Sequence, residues 1–296
     1  MMGEPDLAAI EAFRCTVYDH YRHFRRAMPW RETLDPYRVL VSEIMLQQTQ
    51  VPRVMVKYAE FVAVFPDVHA LAAASTARVL QVWLGLGYNR RALALHRLAQ
   101  TVVSRGGEIP ADVAVLQTLP GIGRATACAI AAFAFNQPVI FVETNVRSVF
   151  IHHFFHDRVT VTDREILPWV EATLDRANPR EWYWALMDYG THLKALFRNP
   201  ARRSSRHRRQ SRFEGSRRQL RGRILRHLTQ GTRHARDLAY AVEAESTAVA
   251  QVVRELEAEG FITVQEDRVG LRQESVLAPT TLDRPSVHCR TEGEKE

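Results

Sequence analysis

The pattern of apolar and polar residues predicts helices along most of the first 197 residues. In Pro36–Gln48 the apolar residues recur at positions i, i+3, i+4, i+7 and i+8, which places them on one face of a helix. Those residues are Tyr37, Leu40, Val41, Ile44 and Met45. Further helical stretches are Ala59–Val64, Val68–Ala74, Ala77–Leu84, Arg90–Arg105, Asp112–Thr118, Ala125–Phe135, Asn145–Phe155, Arg164–Leu174 and Arg180–Leu196. Alternating strand patterns are absent here, so we predict an all-α domain over residues 1–197.

A different pattern begins after residue 216. It predicts three helices, at Arg217–Leu228, His234–Val242 and Ser246–Glu259, followed by a hairpin of Phe261–Val264 and Arg268–Leu271. Three helices and a hairpin in about 55 residues outline a winged helix, a helix-turn-helix variant common in DNA binding. A small structural or dimerisation module has the same outline. We therefore predict a winged-helix-like α+β segment over 217–272, with a disordered tail over 273–296.

Composition fits an ordinary globular protein with room for two domains. The chain has 296 residues, of which 46% are hydrophobic and 25% charged. No apolar run approaches the roughly 20 residues that span a bilayer, and the first nine residues are acidic and polar. We therefore expect a cytoplasmic protein with no membrane segment and no export signal. The three cysteines, Cys15, Cys128 and Cys289, lie far apart, which argues against a disulfide framework or a metal clip.

The positive charge is concentrated in one segment. Arg198–Arg226 contains twelve arginines against one acidic residue, Glu214, so the rest of the chain is net acidic although the whole chain carries +7. Such a run is most often a solvated or disordered tract. Here, however, every cation is an arginine, whose guanidinium suits phosphate, and the run lies between two segments that are predicted to fold. A polyanion-binding connector over 198–216 is the competing interpretation.

Two features of the helical region could carry chemistry. Leu119–Gly123 is a glycine turn directly before a helix, where unpaired backbone N–H groups and the helix dipole favour an anion such as phosphate. Glu43 lies among apolar residues, which would raise its pKa and let it act as a general acid. Taken alone, the turn is more often structural, and Glu43 and Glu143 are more often solvated charges.

Seven sequence motifs favour a functional role for the glycine turn, Glu43 and Glu143. They are Pro29–Arg31, Asp35–Tyr37, Val41–Val51, Trp83–Tyr88, Leu119–Gly123, Val142–Arg147 and Leu186–Gly190. In order and spacing they resemble the helix-hairpin-helix DNA glycosylases, and most closely the MutY-type adenine glycosylases, which remove adenine mispaired with 8-oxoguanine. The resemblance covers about residues 8–225. It implies two helical subdomains with a cleft between them and the hairpin near residues 113–135.

The resemblance assigns roles to individual residues. Glu43 matches the general acid that protonates N7 of the flipped adenine. Glu143 falls where the family has an aspartate that stabilises the cation-like sugar. The remaining matches are Trp30, Arg31, Leu46 and Asp188 in the base pocket, Gln48, Thr49, Leu86 and Tyr88 at the duplex wedge and opposing base, and Gly121, Gly123 and Arg124 at the DNA phosphate. The family hairpin often also holds a monovalent cation.

The chain departs from the family at several positions. Relatives that also nick the strand have a lysine where this chain has Ala125, so the resemblance implies a monofunctional enzyme that leaves an abasic site. The family normally has four cysteines that hold a [4Fe–4S] cluster, but Thr191–Arg212 contains none, so we expect no cluster and no other metal site. We expect the arginines there to supply the phosphate contacts instead: Arg202, Arg203, Arg206, Arg208 and Arg209. The family's domain for 8-oxoguanine is replaced by the winged-helix-like segment.

The sequence therefore predicts a monomeric, nucleoid-associated DNA N-glycosylase of base excision repair. Its partner would be double-stranded DNA with a mispaired or damaged base, preferably adenine opposite 8-oxoguanine or guanine. A thymine or uracil mismatch glycosylase on the same scaffold is one alternative. The other is a non-catalytic lesion-binding protein that has lost its chemistry with the cluster and the aspartate and keeps the hairpin and the arginine run for DNA.

Overall fold

The computed structural model describes residues 6–197, 199–207 and 212–273. Eleven α-helices precede the connector within these residues. They are α1 (Leu7–Phe24), α2 (Pro36–Leu46), α3 (Val51–Val64), α4 (Val68–Ala73), α5 (Thr76–Trp83), α6 (Arg90–Ser104), α7 (Val113–Gln117), α8 (Arg124–Phe135), α9 (Thr144–Phe154), α10 (Asp163–Thr173) and α11 (Pro179–Leu196). A 3-10 turn at Pro29–Arg31 lies between α1 and α2. The prediction of an all-α first region is confirmed.

Capping residues explain where several of these helices begin. The side chains of Asp35, Asp67, Ser75 and Asp112 each accept a hydrogen bond from a backbone N–H in the first turn of the helix that follows. Helix α2 buries the apolar face that its spacing predicts. It ends at Leu46 instead of Gln48, because the chain turns there into the loop that precedes α3.

The first eleven helices form two groups. Helices α1, α9, α10 and α11 pack on one another, and α2 packs against α3, α6 and α8 in the second group. Helix α8 also contacts α11, so it joins the two groups. The short α7 and the longer α8 form the predicted helical hairpin, with the glycine turn between them. The two groups face each other across a cleft.

The C-terminal segment has three helices and a small sheet. The helices are α12 (Arg217–Leu228), α13 (Ala235–Ala241) and α14 (Ser246–Ala258), and the strands are β1 (Arg233–His234), β2 (Ile262–Gln265) and β3 (Arg268–Leu271). The sheet is antiparallel in the order β1-β3-β2, with Val264 opposite Val269. The predicted winged-helix-like outline is confirmed. The third strand, β1, was not predicted.

The C-terminal segment rests on the first domain through Glu259 at the end of α14. Its carboxylate accepts two hydrogen bonds from Arg90 on α6, at 2.6 and 2.8 Å, and one from Arg221 on α12, at 2.6 Å. A second contact is made by Arg218, whose Nη1 donates to the hydroxyl of Tyr88 at 2.8 Å. The loop before α6 is therefore held partly by the C-terminal segment.

The described part of the connector follows the end of α9. Ser204 pairs with Val161 in an isolated parallel bridge, and the Arg203 guanidinium donates to the carbonyls of four residues. These are Ile151, Phe155, His156 and Arg158. Because the last carbonyls of a helix lack intrahelical partners, Arg203 acts as a side-chain cap on α9.

None of the helices among the described residues has the length and apolar character needed to cross a bilayer.

Candidate active site

A cavity of about 330 Å³ lies between the two helical groups. Its walls come from the 3-10 turn, α2, α8, the start of α9, and α11. Predicted site residues that line it are Trp30, Arg31, Glu43, Leu46, Gln48, Thr49 and Glu143. Its volume lies in the range of small-molecule pockets, about 300–1,000 Å³. The structure therefore brings both predicted catalytic carboxyl groups to one cavity.

Glu43 lies on α2 where the helix borders the cavity. Its neighbours on the same helix, Ser42 and Ile44, are buried in the core. Burial raises the pKa of the Glu43 carboxyl to about 8, and the negative charge of Glu143 adds to this effect, while Arg31 opposes it. A carboxyl group with this pKa is protonated at neutral pH and can donate its proton to a bound base.

Glu143 is the N-cap of α9. Its Oε1 accepts hydrogen bonds from the backbone N–H groups of Asn145 and Val146, and the side-chain amide of Asn145 donates to Oε2. Glutamate is uncommon at an N-cap, where the shorter aspartate is preferred. The capping contacts fold the longer side chain back on the helix and fix the carboxylate, which still lines the cavity. Asn145, which the sequence interpretation missed, also lines the cavity.

Arg31 is held by a buried carboxylate. Asp188 on α11 accepts two hydrogen bonds from Arg31, at 2.8 and 2.9 Å, and two from Arg26, one from its backbone N–H and one from its Nε. Burial alone would raise the pKa of Asp188, but the hydrogen bonds and charge of Arg31 outweigh it, so the net pKa is lowered. Asp188 does not itself line the cavity, contrary to the prediction. It lies behind Arg31 and orients it.

The loops predicted to enter the duplex are shaped by unusual backbone conformations. Gln48 and Tyr88 both have positive φ angles, 55° and 46°, which cost about 1–2 kcal/mol in a residue other than glycine. Strain of this kind is frequent at functional sites. Tyr88 is 37% exposed, whereas Leu86 is only 2% exposed. Leu86 therefore belongs to the core, and the prediction that it enters the duplex does not fit this structure.

Arg91 joins the two loops, and the sequence interpretation missed it. Its guanidinium donates to Thr49 Oγ1 and to five carbonyl oxygens from the end of α2 and from the second loop. These carbonyls belong to Ile44, Met45, Gln47, Leu86 and Gly87. The guanidinium also contacts the rings of Trp83 and Tyr88, at 5.3 and 5.5 Å from their centroids. One side chain thus fixes both loops beside the cavity.

Replacing Arg91 with alanine should loosen both loops and lower stability. Hydrogen bonds from a charged donor contribute about 1.5–3 kcal/mol each when buried, and these are partly exposed, so we expect a total loss of about 2–3 kcal/mol. Urea unfolding measures this loss. Arg164→Ala, which removes an exposed arginine on α10, is the control and should leave stability nearly unchanged. Equal midpoints for Arg91→Ala and wild type would show that Arg91 does not fix the loops.

The glycine turn presents an open helix N-terminus. Gly121 has a φ of +80°, and a Cβ there would meet the Ala94 side chain at 2.8 Å, so only glycine fits. Gly123 is the N-cap of α8, where no side chain caps the helix, and a Cβ there would meet open space. Gly121, Gly123 and Arg124 are all exposed. The backbone N–H groups of this turn can therefore receive an anion.

The connector arginines divide into two sets. Arg202 and Arg206 are exposed, although Arg206 also reaches Asp163 at 3.1 Å. Arg203 is committed to the end of α9, which is a structural role that does not fit the predicted phosphate contact. Arg208 and Arg209 lie outside the described residues.

The region where the resemblance would place an iron–sulfur cluster does not fit one. Such a cluster needs thiolate ligands, and Thr191–Arg212 contains no cysteine. The described free cysteines are Cys15, exposed on α1, and Cys128, buried in α8. Nor do three His, Cys, Asp or Glu side chains converge around a common point in the described ranges.

Comparison with known proteins agrees with this geometry. Residues 41–171 match the family model of the HhH-GPD superfamily base excision DNA repair protein. An adenine DNA glycosylase of Mycobacterium tuberculosis is 48% identical over 132 residues, which are 44% of this chain and 43% of that protein. An adenine DNA glycosylase of Buchnera aphidicola is 33% identical over 194 residues, 64% of this chain and 54% of that protein. The chain thus spans about half the length of these curated relatives.

A solved structure shows the same fold. The thermostable thymine-DNA glycosylase superposes with a TM-score of 0.58 at 24% identity, over 65% of this chain and 91% of that one. The matched residues 41–171 contain Glu43, both loops that are predicted to enter the duplex, the glycine turn and Glu143. Residues 41–171 are therefore similar to the HhH-GPD superfamily of base excision DNA repair proteins, and the predicted resemblance to the MutY-type adenine glycosylases is confirmed.

Proposed function

We propose that the protein is a monofunctional DNA N-glycosylase that removes adenine opposite 8-oxoguanine or guanine and leaves an abasic site. The observation that carries this proposal is Glu43, a carboxyl group whose pKa is raised to about 8 at the wall of a base-sized cavity. A second carboxylate, Glu143, lines the same cavity. The adenine DNA glycosylases among its relatives support the choice of base.

Two carboxyl groups can divide the chemistry between them. The target base must first leave the duplex, because its glycosidic bond cannot be reached inside the stack. In the cavity, Glu43 would donate its proton to N7 of adenine and turn the base into a leaving group. The sugar then gains positive charge, which an ionised Glu143 would stabilise while water attacks. Trp30 and Arg31 form the wall beside the base.

The loops around the cavity would open the duplex. Gln48 is exposed at the cavity mouth, and Tyr88 is an exposed aromatic ring that can stack on a base. Gly121 and Gly123 would receive a backbone phosphate at the start of α8, with Arg124 beside it. This arrangement holds the backbone at one point while the wedge fills the space that the flipped base leaves.

Some relatives of this family also nick the DNA strand, and the residue at position 125 bears on whether this protein can do so. Strand nicking needs an amine for a Schiff base, and Ala125, which lines the cavity, offers none. We therefore propose that the enzyme lacks lyase activity. We also propose that it works as a monomer and without an iron–sulfur cluster.

The exposed connector arginines would add sequence-independent affinity. The triple variant Arg202→Ala, Arg206→Ala, Arg212→Ala should weaken duplex binding and lower the slope of log Kd against log salt by about 0.9 for each lost phosphate contact. Fluorescence anisotropy from 50 to 300 mM salt, about the range in which such contacts are screened, measures the slope. Arg164→Ala controls for the loss of one exposed arginine outside the connector. An unchanged slope in the triple variant would show that these connector arginines do not contact DNA phosphates.

A panel of labelled duplexes tests the proposed function. It would carry A:8-oxoG, A:G, T:G, U:G and hypoxanthine:T, each incubated under single-turnover conditions with and without alkali. Strand cleavage of A:8-oxoG or A:G that requires alkali is the expected result. Cleavage of only T:G or U:G would show that the substrate base is a pyrimidine and not adenine. Cleavage without alkali would contradict the monofunctional mechanism, and tight binding without any cleavage would indicate a lesion-binding protein.

A further inference from the structure

A half-buried lysine lies one turn beyond Gly190 on α11. Lys194 is one of only three lysines in the chain, and its Nζ donates a hydrogen bond of 2.7 Å to Oδ1 of Asn145. It does not line the cavity and has no part in the mechanism above. Its position inside the protein, close to the catalytic carboxyl groups, calls for a physical explanation.

Close packing of α11 on α9 brings this lysine to the site. A Cβ at Gly190 would lie 2.6 Å from the backbone oxygen of Asn145, so the two helices can approach this closely only with glycine there. Asn145 in turn donates hydrogen bonds to both carboxylate oxygens of Glu143, from its backbone N–H and from its side-chain amide. The contacts therefore run from the Lys194 ammonium through one amide side chain to the Glu143 carboxylate.

The other charged groups around Glu143 are already paired. Arg147 forms two hydrogen bonds with Asp163, at 2.6 and 3.0 Å, and Arg31, near Glu43, is paired with Asp188. Among the residues that the structure describes, Lys194 forms no salt bridge of its own. Glu143 is the acidic group whose charge acts on Lys194.

We propose that Lys194 is a positioning residue that keeps Glu143 ionised and aimed at the sugar while Glu43 retains its proton. The inference rests on the proposed glycosylase function. Two adjacent carboxyl groups can serve as general acid and electrostatic stabiliser only if one of them keeps its proton while the other stays ionised. Within the described ranges, Lys194 acts on Glu143 without a carboxylate partner of its own. Arg31, the cation near Glu43, is instead paired with Asp188, and this difference supplies the asymmetry.

The pKa of Glu143 is raised on balance, and Lys194 is one of the groups that limit this rise. Burial raises the pKa of Glu143, and the hydrogen bond from Val146 and the charge of Lys194 both oppose this rise. Burial lowers the pKa of Lys194, and Glu143 opposes that change. The remaining charged groups that act on Lys194 are Arg147 and Arg26, which both disfavour its protonation. Lys194 and Glu143 therefore stabilise each other's charged forms.

The pH dependence of excision distinguishes this role from simple packing. The single-turnover rate should rise with pH as Glu143 ionises and fall as Glu43 loses its proton. In Lys194→Met the acidic limb should move to higher pH by about one unit, which lowers the rate about tenfold below that limb. The basic limb should stay near pH 8, because Glu43 sets it. Damage to the fold alone would lower the rate equally at every pH.

Two further variants complete the comparison. Lys194→Arg keeps the positive charge and should restore the acidic limb. Lys57→Met removes a lysine from α3 whose partners are Glu60 and the carbonyl of Val82, and it should leave the pH of both limbs unchanged. Equal profiles for wild type and Lys194→Met would overturn the inference.

A titration of the free protein separates this inference from the proposed function. In protein labelled with carboxyl-¹³C glutamate, NMR should show the Glu143 carboxyl titrating at higher pH in Lys194→Met than in wild type and in Lys194→Arg. This readout needs no DNA and no activity. If no duplex is cleaved, the titration still tests Lys194. An unchanged Glu143 titration in Lys194→Met would overturn the inference even if the enzyme is active.

Discussion

Replacement of Glu43 by glutamine should lower the single-turnover rate of base excision by about 10²–10⁴-fold, the usual contribution of a general acid. Glutamine has almost the same shape as glutamic acid but cannot transfer a proton. Affinity for the duplex should stay close to that of wild type, because Glu43 borders the cavity and not the loops that hold the backbone. Rates measured with enzyme in excess, together with fluorescence anisotropy, give both quantities.

The matched control is Glu11→Gln, which changes an exposed glutamate on α1. It should leave both rate and affinity unchanged. A Glu43→Gln protein that excises the base at the wild-type rate would show that another group provides the proton. Loss of binding together with activity would mean that Glu43 supports the structure of the cavity.

Replacement of Asp188 by alanine should destabilise the protein by about 3–5 kcal/mol, the usual consequence of removing one partner from a buried ion pair. The side chains of Arg31 and Asp188 are 2% and 1% exposed, so Arg31 would be left charged and buried without its carboxylate. Urea unfolding measures the change. We also expect a sharp fall in excision, because Arg31 would no longer be held at the cavity wall.

A double variant tests whether the unpaired charge is the cause. Asp188→Leu combined with Arg31→Met removes both charges, and it should recover much of the stability lost in Asp188→Ala. The folded-state pKa of Asp188 lies below its ordinary value of 3.8, so its carboxylate contributes stability above that pH. That contribution should be lost as the pH falls through the lower folded-state value. If the Asp188→Ala protein were as stable as wild type, the buried pair of Arg31 and Asp188 would not contribute to stability.

The predictable part of the fold followed from periodicity and local signals. The apolar stripe of α2 was found because five residues recur at helical spacing, and Asp35 marks its start. The β1 strand was missed because Arg233 and His234 carry no strand pattern. Their pairing with Val269 and Arg268 on β3 creates the strand. Periodicity reveals elements that bury a face, but not those formed by a distant partner.

The residues of the candidate site could also be predicted only in part. Glu43 could be predicted because its helix has a recognisable pattern and lies in a recognisable motif. Arg91 and Arg203 could not, because their partners are backbone carbonyls, which every residue has. Lys194 was missed because its partner, Asn145, lies 49 positions earlier in the chain. Leu86 carried a family role, yet its burial shows only in three dimensions.

Folding pairs some arginines of the basic tract with acidic residues. In the sequence, the arginines between Arg198 and Arg226 form one basic tract. In the structure, Arg217 and Arg221 pair with Glu255 of α14, and Arg221 also pairs with Glu259. Part of this charge therefore stabilises the C-terminal segment, and exposed arginines such as Arg202 are left for phosphate.

The role proposed for Glu43 is to release a base from DNA in its protonated form. Its most direct test is mass-spectrometric detection of the free base released from an A:8-oxoG duplex, with enzyme in excess, at pH 7 and at pH 9. Because the pKa of Glu43 is raised to about 8, free adenine should appear at pH 7, and its release should be about tenfold slower at pH 9. A rate that does not fall above pH 8, or no free base at either pH, would contradict the account.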